Sequence, residues 1–474
     1  MNCSGSNHSN PGMHPIFRSV ALALAFCAPV ALAADYTATL STDLRTMEVR
    51  ACFENAPQAL RAGDQAANQF LEALAWAPGN VKPVRQGTRL VLPEPGAAGC
   101  LSYRVDVGRA ADQQTLRRTQ WAGDDLLTTP ELWLWRDTQS TRLTLALPEG
   151  MSASVPWPST GKSNEYRVDP TPRIWAAQMA VGRLRVAPVA LPGGTLHVAL
   201  SNVDQFQRPD EILSWVTETA RAITTINGRF PREETQVLII PGNYDNPVPW
   251  GQVLRGGAPA IQFYVAQDAT LDALRTDWTA FHELSHLLLP FVQRADAYLS
   301  EGFASYFQNV TRGRSGNLGR QEAWANLHAG FERGRRNTRG QTLQGAARKM
   351  GREGNYMRVY WSGAALALLA DVQLRVQTGQ GLDDLLAKLR GCCLNDHRAW
   401  SAARLAAELD RLSGTDIFAK LNDDMARART FPNVQPVLEQ LGVLYENDSI
   451  RLDDDAPLAA IRRAIMSPYR GDGP

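Results

Sequence analysis

The sequence predicts an α+β chain: an N-terminal β-sandwich-like domain over residues 34–205, a mainly α-helical domain over residues 206–445, and a C-terminal tail at 446–474. Three observations predict it. Before residue 205, short β-branched and aromatic runs alternate with turn residues. After Asp210, apolar residues recur at helical spacing. With 44% hydrophobic residues among 474, the chain can build more than one core.

In the first region the candidate strands are 47–53, 88–92, 101–107, 141–147 and 184–189, and a Pro192-Gly193-Gly194 turn leads into another at 196–200. Residues 58–76 read as more helical. Trp133, Trp135, Trp157 and Trp175 are assigned to the core and rim of this domain. A helix over 211–226 follows, with Ile212, Trp215, Val216, Ala220 and Ile223 at helical spacing. Next come a buried strand at 236–240, a Pro/Gly/Asn-rich loop at 241–251 and a second strand at 257–265. Residues 276–289 contain neither Gly nor Pro, and Trp278, Phe281, Leu284, Leu287 and Leu288 can bury a helix that Pro290 stops. Further helices are expected at 301–310, 320–335, 360–377, 382–389 and 401–412. The apolar run 363–374 is too short to span a bilayer and reads as a core helix.

Lys and Arg (49) balance Asp and Glu (48), which gives no electrostatic case for nucleic acid. Residues 1–33 read as a signal peptide, with Met13 as the candidate true start. Arg18 supplies a thin basic region, residues 20–32 are apolar, and Ala31-Leu32-Ala33 offers a small-x-small cleavage site. The run is short for a span and Pro29 interrupts it. Export to the periplasm or the medium is therefore expected, with no transmembrane span after processing. In an oxidising compartment a Cys52–Cys100 disulfide would be worth roughly 4 kcal/mol in the chain-entropy model. Cys392-Cys393 either forms a vicinal disulfide or stays reduced. No pair has C-x-x-C spacing, so no cysteine metal site is expected.

The chemistry concentrates in His282-Glu283-Leu284-Ser285-His286 and in Leu299-Ser300-Glu301-Gly302-Phe303. Residues four apart share a helix face, so His282 and His286 can grip one metal ion while Glu283 projects beside it. Glu301 falls in an apolar, aromatic helix where a third ligand is needed. Two imidazoles and a carboxylate suit one zinc ion, which keeps a fourth position open in catalytic sites. With seven histidines in the chain, the pattern is improbable by chance.

These residues carry a resemblance. His282–His286 with Ser300-Glu301-Gly302-Phe303-Ala304 resembles the gluzincin metallopeptidases. Tyr360-Trp361-Ser362-Gly363-Ala364, continuing through Leu368-Leu369-Ala370-Asp371 and Thr378-Gly379-Gln380-Gly381-Leu382-Asp383-Asp384-Leu385, is similar to the glycyl aminopeptidase family in particular. Pro130-Glu131-Leu132-Trp133-Leu134-Trp135 and Pro156-Trp157 are similar to that family's N-terminal domain. The resemblance implies a thermolysin-like catalytic domain and a peptide or protein substrate. It implies zinc on His282, His286 and Glu301, proton transfer by Glu283, and an oxyanion donor at Tyr360, with Tyr356 one turn earlier as the competing tyrosine. Asp277 and Asp296 are the carboxylates near enough in sequence to orient the histidines.

The chain also departs from that family. The family's aminopeptidases hold the substrate's amine with a Glu in a Gly-rich strand. The matching stretch here is Gly256-Gly257-Ala258-Pro259-Ala260-Ile261-Gln262-Phe263, which is without an acidic residue. Its backbone is expected to pair with an extended peptide. Loops 241–251 and 311–319 are the candidates for the pocket rim. The competing readings are a catalytically inactive zinc-binding scaffold and a zinc hydrolase with a non-peptide substrate.

Overall fold

Buried and exposed residues alternate along Ala34–Leu40 and Thr46–Phe53, as strands with one face on a core require. The computed structural model describes residues 34–172, 176–396 and 398–469, so the expected signal peptide at 1–33 and Trp175 lie outside the described residues. The architecture is mixed α/β, with several sheets and many helices. A six-stranded sheet runs in the order Glu165–Val168, Thr141–Ala146, Ala34–Leu40, Thr46–Phe53, Gly99–Asp106, Leu71–Ala77. A four-stranded sheet runs Ser152–Ser154, Met179–Gly182, Asp125–Thr128, Gln120–Ala122. Both feed one apolar core in which Trp76, Trp133 and Trp135 are fully buried and Trp157 nearly so. Cys52 and Cys100 face each other on neighbouring strands and are joined, and the Cys392–Cys393 disulfide is also formed.

Residues 58–76 are not mainly helical. They form the strand Ala59–Arg61, a single helical turn at Ala67–Phe70 and the strand Leu71–Ala77, which pairs with Gly99–Asp106. The register shifts between Glu72 and Ala75, and Leu74 and Trp76 both enter the core. Cross-strand pairing overrides the local helical spacing here.

A five-stranded sheet supports the second half, in the order Arg185–Leu191, Gly194–Leu200, Glu234–Gly242, Ala260–Ala266, Trp250–Leu254. Its first two strands precede residue 206 in the sequence. The boundary expected at 205/206 therefore runs through a sheet, because Gly194–Leu200 pairs in parallel with Glu234–Gly242. The last strand, Trp250–Leu254, was not expected: it begins in the last two residues of the expected loop and runs on toward the expected strand at 257–265. It pairs antiparallel with Ala260–Ala266 and forms the edge of the sheet. The expected tail is not a tail: Ile450, Ile465 and Met466 belong to the main core, and the segment carries the hairpin Val443–Glu446/Ser449–Leu452 and the helix Ala459–Ile465.

The helices fall close to their expected positions, among them Pro209–Thr224, Ala297–Ser315, Arg320–Arg336, Tyr356–Thr378, Leu382–Cys392 and Ala402–Ser413. Among the described residues, no helix is long and apolar enough to cross a membrane. Ala297–Ser315 and Tyr356–Thr378 pack backbone to backbone. A Cβ built on Gly302 would stand 2.2 Å from the Gly363 carbonyl carbon, and one on Gly363 would stand 1.7 Å from the Tyr298 oxygen.

A buried polar network ties the far ends of these helices to Leu382–Cys392. Arg314 donates two parallel bonds of 2.9 Å to Asp383. Arg375 reaches Asp383 at 3.2 Å and Asp371 at 2.8 Å, and the Tyr306 hydroxyl donates to Asp371 at 2.8 Å. Removing one partner strands a buried charge, at a cost of roughly 3–5 kcal/mol. Arg314→Met is therefore expected to lower the thermal unfolding midpoint by several degrees in calorimetry. An unchanged midpoint would show the network to be dispensable.

Candidate metal centre

The helix that carries the histidines is shorter than its apolar run. It spans Thr279–Ser285 as α-helix and tightens to a 3-10 turn at His286–Leu288. The Asp277 carboxylate accepts the Thr279 amide at 2.7 Å and satisfies one free N–H at its start. Leu284, Leu287 and Leu288 bury one face. The other presents His282 and His286, with ring centroids 4.8 Å apart.

Glu301, in the second turn of Ala297–Ser315, meets both rings. Its Oε2 lies 3.2 Å from His282 Nε2 and 3.4 Å from His286 Nε2. The outer nitrogens are also held: His282 Nδ1 is 3.2 Å from Gln308 Oε1, and His286 Nδ1 is 3.1 Å from Ser300 Oγ. Ser300, Glu301 and Gln308 thus come from one helix. Neither expected aspartate takes part in orienting the rings. Asp277 serves as the cap described above, and Asp296 binds Gln293, Gln344 and the Ala402 amide.

Glu283 lies beside the histidines, with ligand atoms of all three within 4.8 Å of one another. Its carboxyl accepts the backbone N–H of Val253 on the edge strand. That strand passes very close: a Cβ on Gly251 would lie 2.7 Å from Glu283 Cγ and 2.9 Å from Thr279 Cγ2. Tyr360 stacks on His282, with centroids 5.5 Å apart and planes 10° from parallel, and its hydroxyl donates to Glu301. Tyr356 is 41% exposed and meets only the edge of Tyr360, so Tyr360 is the tyrosine in the site.

The electrostatics follow from burial among three acidic or basic neighbours. Burial raises the Glu283 pKa against the pull of His286 and His282. Burial also opposes ionisation of Glu301, but the two imidazoles outweigh it and hold that carboxyl low. Burial, then the Glu301 and Glu283 carboxylates, push the Tyr360 phenol up, so it keeps its proton as a donor. Burial lowers the His282 pKa, but the hydrogen bond its ring donates to Glu301 and the charge of Glu283 outweigh it and leave it raised.

Two imidazole nitrogens and one carboxylate oxygen converge, each ring fixed by a partner on its outer nitrogen. This donor set fits zinc. The 311–319 stretch does not rim the site: Thr311 and Arg312 are buried helix, and Arg312 donates to the Thr276 carbonyl. The stretch matched to the amine-binding strand is split. Ala260–Ala266 is paired on both sides, leaving the edge to Trp250–Leu254. Gly256 and Gly257 pack on the N-terminal half, where added Cβ atoms would stand 2.6 Å from the Ala176 carbonyl carbon and 2.2 Å from the Pro156 oxygen.

No family model matches the chain, and no curated protein matches it in sequence. Solved structures do match. The chain is similar to an aminopeptidase N family protein from Idiomarina loihiensis, at TM-score 0.64 and 15% identity, over 90% of this chain and 82% of that one. It is similar to the M1 zinc metallopeptidase from Deinococcus radiodurans, at TM-score 0.52 and 18% identity, over 85% and 94%. It is also similar to native yeast LTA4 hydrolase, at TM-score 0.52 and 14% identity, over 87% and 70%. The fold is that of the M1 aminopeptidases.

Loss of the partner that orients a histidine ligand weakens metal binding by roughly 10–100-fold. Gln308→Leu and Ser300→Ala are each expected to do so in competition with a chromophoric chelator. Metal must displace the proton that His282 holds in the metal-free site. Affinity should therefore fall as pH drops through the raised His282 pKa. A flat pH profile would contradict this.

Proposed function

We propose that the chain is an exported zinc metallopeptidase that hydrolyses peptide bonds with Glu283 as the proton-transfer group. The observation that carries this reading is the convergence of His282, His286 and Glu301 on one point, with Glu283 and Tyr360 beside it. The M1 fold supports it, and the structure neighbours are named as zinc metallopeptidases and aminopeptidases. The 1–33 pattern and the Cys52–Cys100 disulfide support export to the periplasm or the medium.

His282, His286 and Glu301 would hold one zinc ion. Bound there, zinc supplies Lewis-acid polarisation of the scissile carbonyl and lowers the pKa of water. Glu283 sits in a buried pocket that keeps its carboxyl basic, so it takes a proton from the attacking water and returns it to the leaving amine. Tyr360 keeps its phenolic proton and donates to the oxygen that gains charge as the carbonyl is attacked. The outer edge of Trp250–Leu254, apart from the Val253 amide that Glu283 accepts, is where an extended peptide adds as a further strand. Gly251 lets that strand approach the base closely enough for the Val253 amide to hold the Glu283 carboxyl.

The likeness of the Tyr360 helix to glycyl aminopeptidases favours attack near a free amino terminus, whereas Gly256 and Gly257 offer no carboxylate to receive that amine. Comparison of free and amino-blocked peptides decides between exo- and endopeptidase action.

Glu283→Gln should retain one zinc per chain and lose about 10²–10⁴-fold in kcat. Tyr360→Phe should lose roughly 10²–10³-fold with little change in KM. Gly251→Ala should keep zinc but lose activity, because its methyl displaces the Glu283 side chain. Steady-state rates on a peptide library, with metal analysis of each variant, check all three. Full activity in Glu283→Gln would end the mechanism.

A further inference from the structure

The candidate metal centre is flanked by aromatic rings that no core covers. Four aromatic side chains are exposed among the described residues: Trp250, Trp278, Tyr356 and Tyr445. Tyr445 stacks on His328 and donates to Asp448 at 3.1 Å. Gly251 faces Glu283, so its neighbour Trp250 points to the opposite face of the sheet, in register with Tyr264. The other two each touch a residue of the site. Trp278, 45% exposed, meets His282 at right angles, with centroids 5.5 Å apart. Tyr356 meets Tyr360 at 83°, with centroids 6.3 Å apart. His282 and Tyr360 stack on each other, so the four rings form one continuous chain with an exposed member at each end.

Helix geometry accounts for the placement. The His282 amide donates to the Trp278 carbonyl at 3.1 Å, so Trp278, His282 and His286 fall in one row, a residue every turn. Tyr356 and Tyr360 form the same kind of row on Tyr356–Thr378. One turn is about 5.4 Å, and consecutive residues of an extended peptide lie about 3.5 Å apart. A substrate side chain next to the scissile bond therefore comes within reach of an exposed ring. Covering that ring with apolar surface is favourable, and an aromatic side chain adds offset or edge-to-face packing. The charges nearby are already engaged. Asp277 accepts the Thr279 amide, Arg312 lies over the Phe281 ring and donates to the Thr276 carbonyl, and Arg275 pairs with Glu218 at 2.7 Å. Beside Tyr356, Glu353 pairs with Lys349 at 3.3 Å. A Cβ on Gly351 would stand 3.6 Å from both the Tyr356 hydroxyl and an Arg294 nitrogen, which places positive charge near that phenol. A cationic side chain thus gains little at either ring, whereas an aromatic one needs no counter-charge.

We infer that Trp278 and Tyr356 are specificity residues that receive an aromatic side chain of the peptide substrate beside the scissile bond. The inference rests on the peptidase reading of the metal centre. Trp278 acts from the row that carries the histidines and Tyr356 from the row that carries the phenol donor. The choice of side chain is thereby made one turn away from the residues proposed for the chemistry, on the same two helices.

Binding reads the subsite without turnover. Three fluorescent peptides, identical except for a central Phe, Ala or Arg, are titrated against the zinc-loaded Glu283→Gln chain by anisotropy. The Phe peptide is expected to bind about tenfold tighter than the Ala peptide, and the Arg peptide no tighter than the Ala peptide. Adding Trp278→Ala and Tyr356→Ala should bring the Phe-to-Ala ratio close to one, and Trp278→Phe in place of Trp278→Ala should restore part of it. Zinc content is measured for each variant. Equal affinity for the Phe and Ala peptides, tighter binding of the Arg peptide than of the Phe peptide, or a preference that survives in the double variant overturns the inference. So does a preference lost together with zinc, which would assign Trp278 to holding His282 in place. Phe preference without hydrolysis by the parent chain would sink the peptidase reading and leave the subsite standing. Hydrolysis without preference would do the reverse.

Discussion

The candidate metal centre depends on two glycines. Gly302 and Gly363 let the helices Ala297–Ser315 and Tyr356–Thr378 touch backbone to backbone, nearer than helices that pack through side chains. Glu301 precedes one glycine, and Tyr360 lies three residues before the other. The contact therefore sets the distance between the Glu301 carboxylate and the phenol that donates to it. A methyl group at either glycine would force the helices apart, and a catalytic constellation tolerates only about half an ångström of error. The same helix supplies Ser300 and Gln308 to the outer nitrogens of the histidines. At its far end Arg314 anchors it to Asp383. One element is thus fixed at three places, and the histidine helix docks onto a surface already shaped to receive it.

What the sequence made legible followed from local geometry. Four-residue spacing on a helix brings His282 and His286 together whatever the rest of the chain does, and the structure brings Glu301 within 3.4 Å of both rings. Tyr360 was different: by itself it reads as a core or rim residue, and the resemblance in the following helix singled it out. The residues that orient the histidines were missed because carboxylates were sought, at Asp277 and Asp296. The signal was available in Ser300 and Gln308, which lie one before and seven after Glu301, on the face of the same helix.

The misread segments share one cause, that long-range pairing decided them. The strand Trp250–Leu254 follows Pro247 and Pro249 and contains Gly251, so its local chemistry is that of a loop. It is a strand because it lies against Ala260–Ala266, and its glycine marks the close approach to Glu283. Residues 58–76 and the 446–474 segment were misread in the same way. Turn-rich or helix-spaced sequence was captured by a partner far along the chain.

On the proposed peptidase reading, packing at the end of the edge strand bears on which peptides the cleft would accept. A free ammonium terminus held in a partly buried site needs a carboxylate, since an unpaired buried charge costs several kcal/mol. At Gly256 and Gly257 the N-terminal half presses against the backbone itself, so no side chain fits there to provide one.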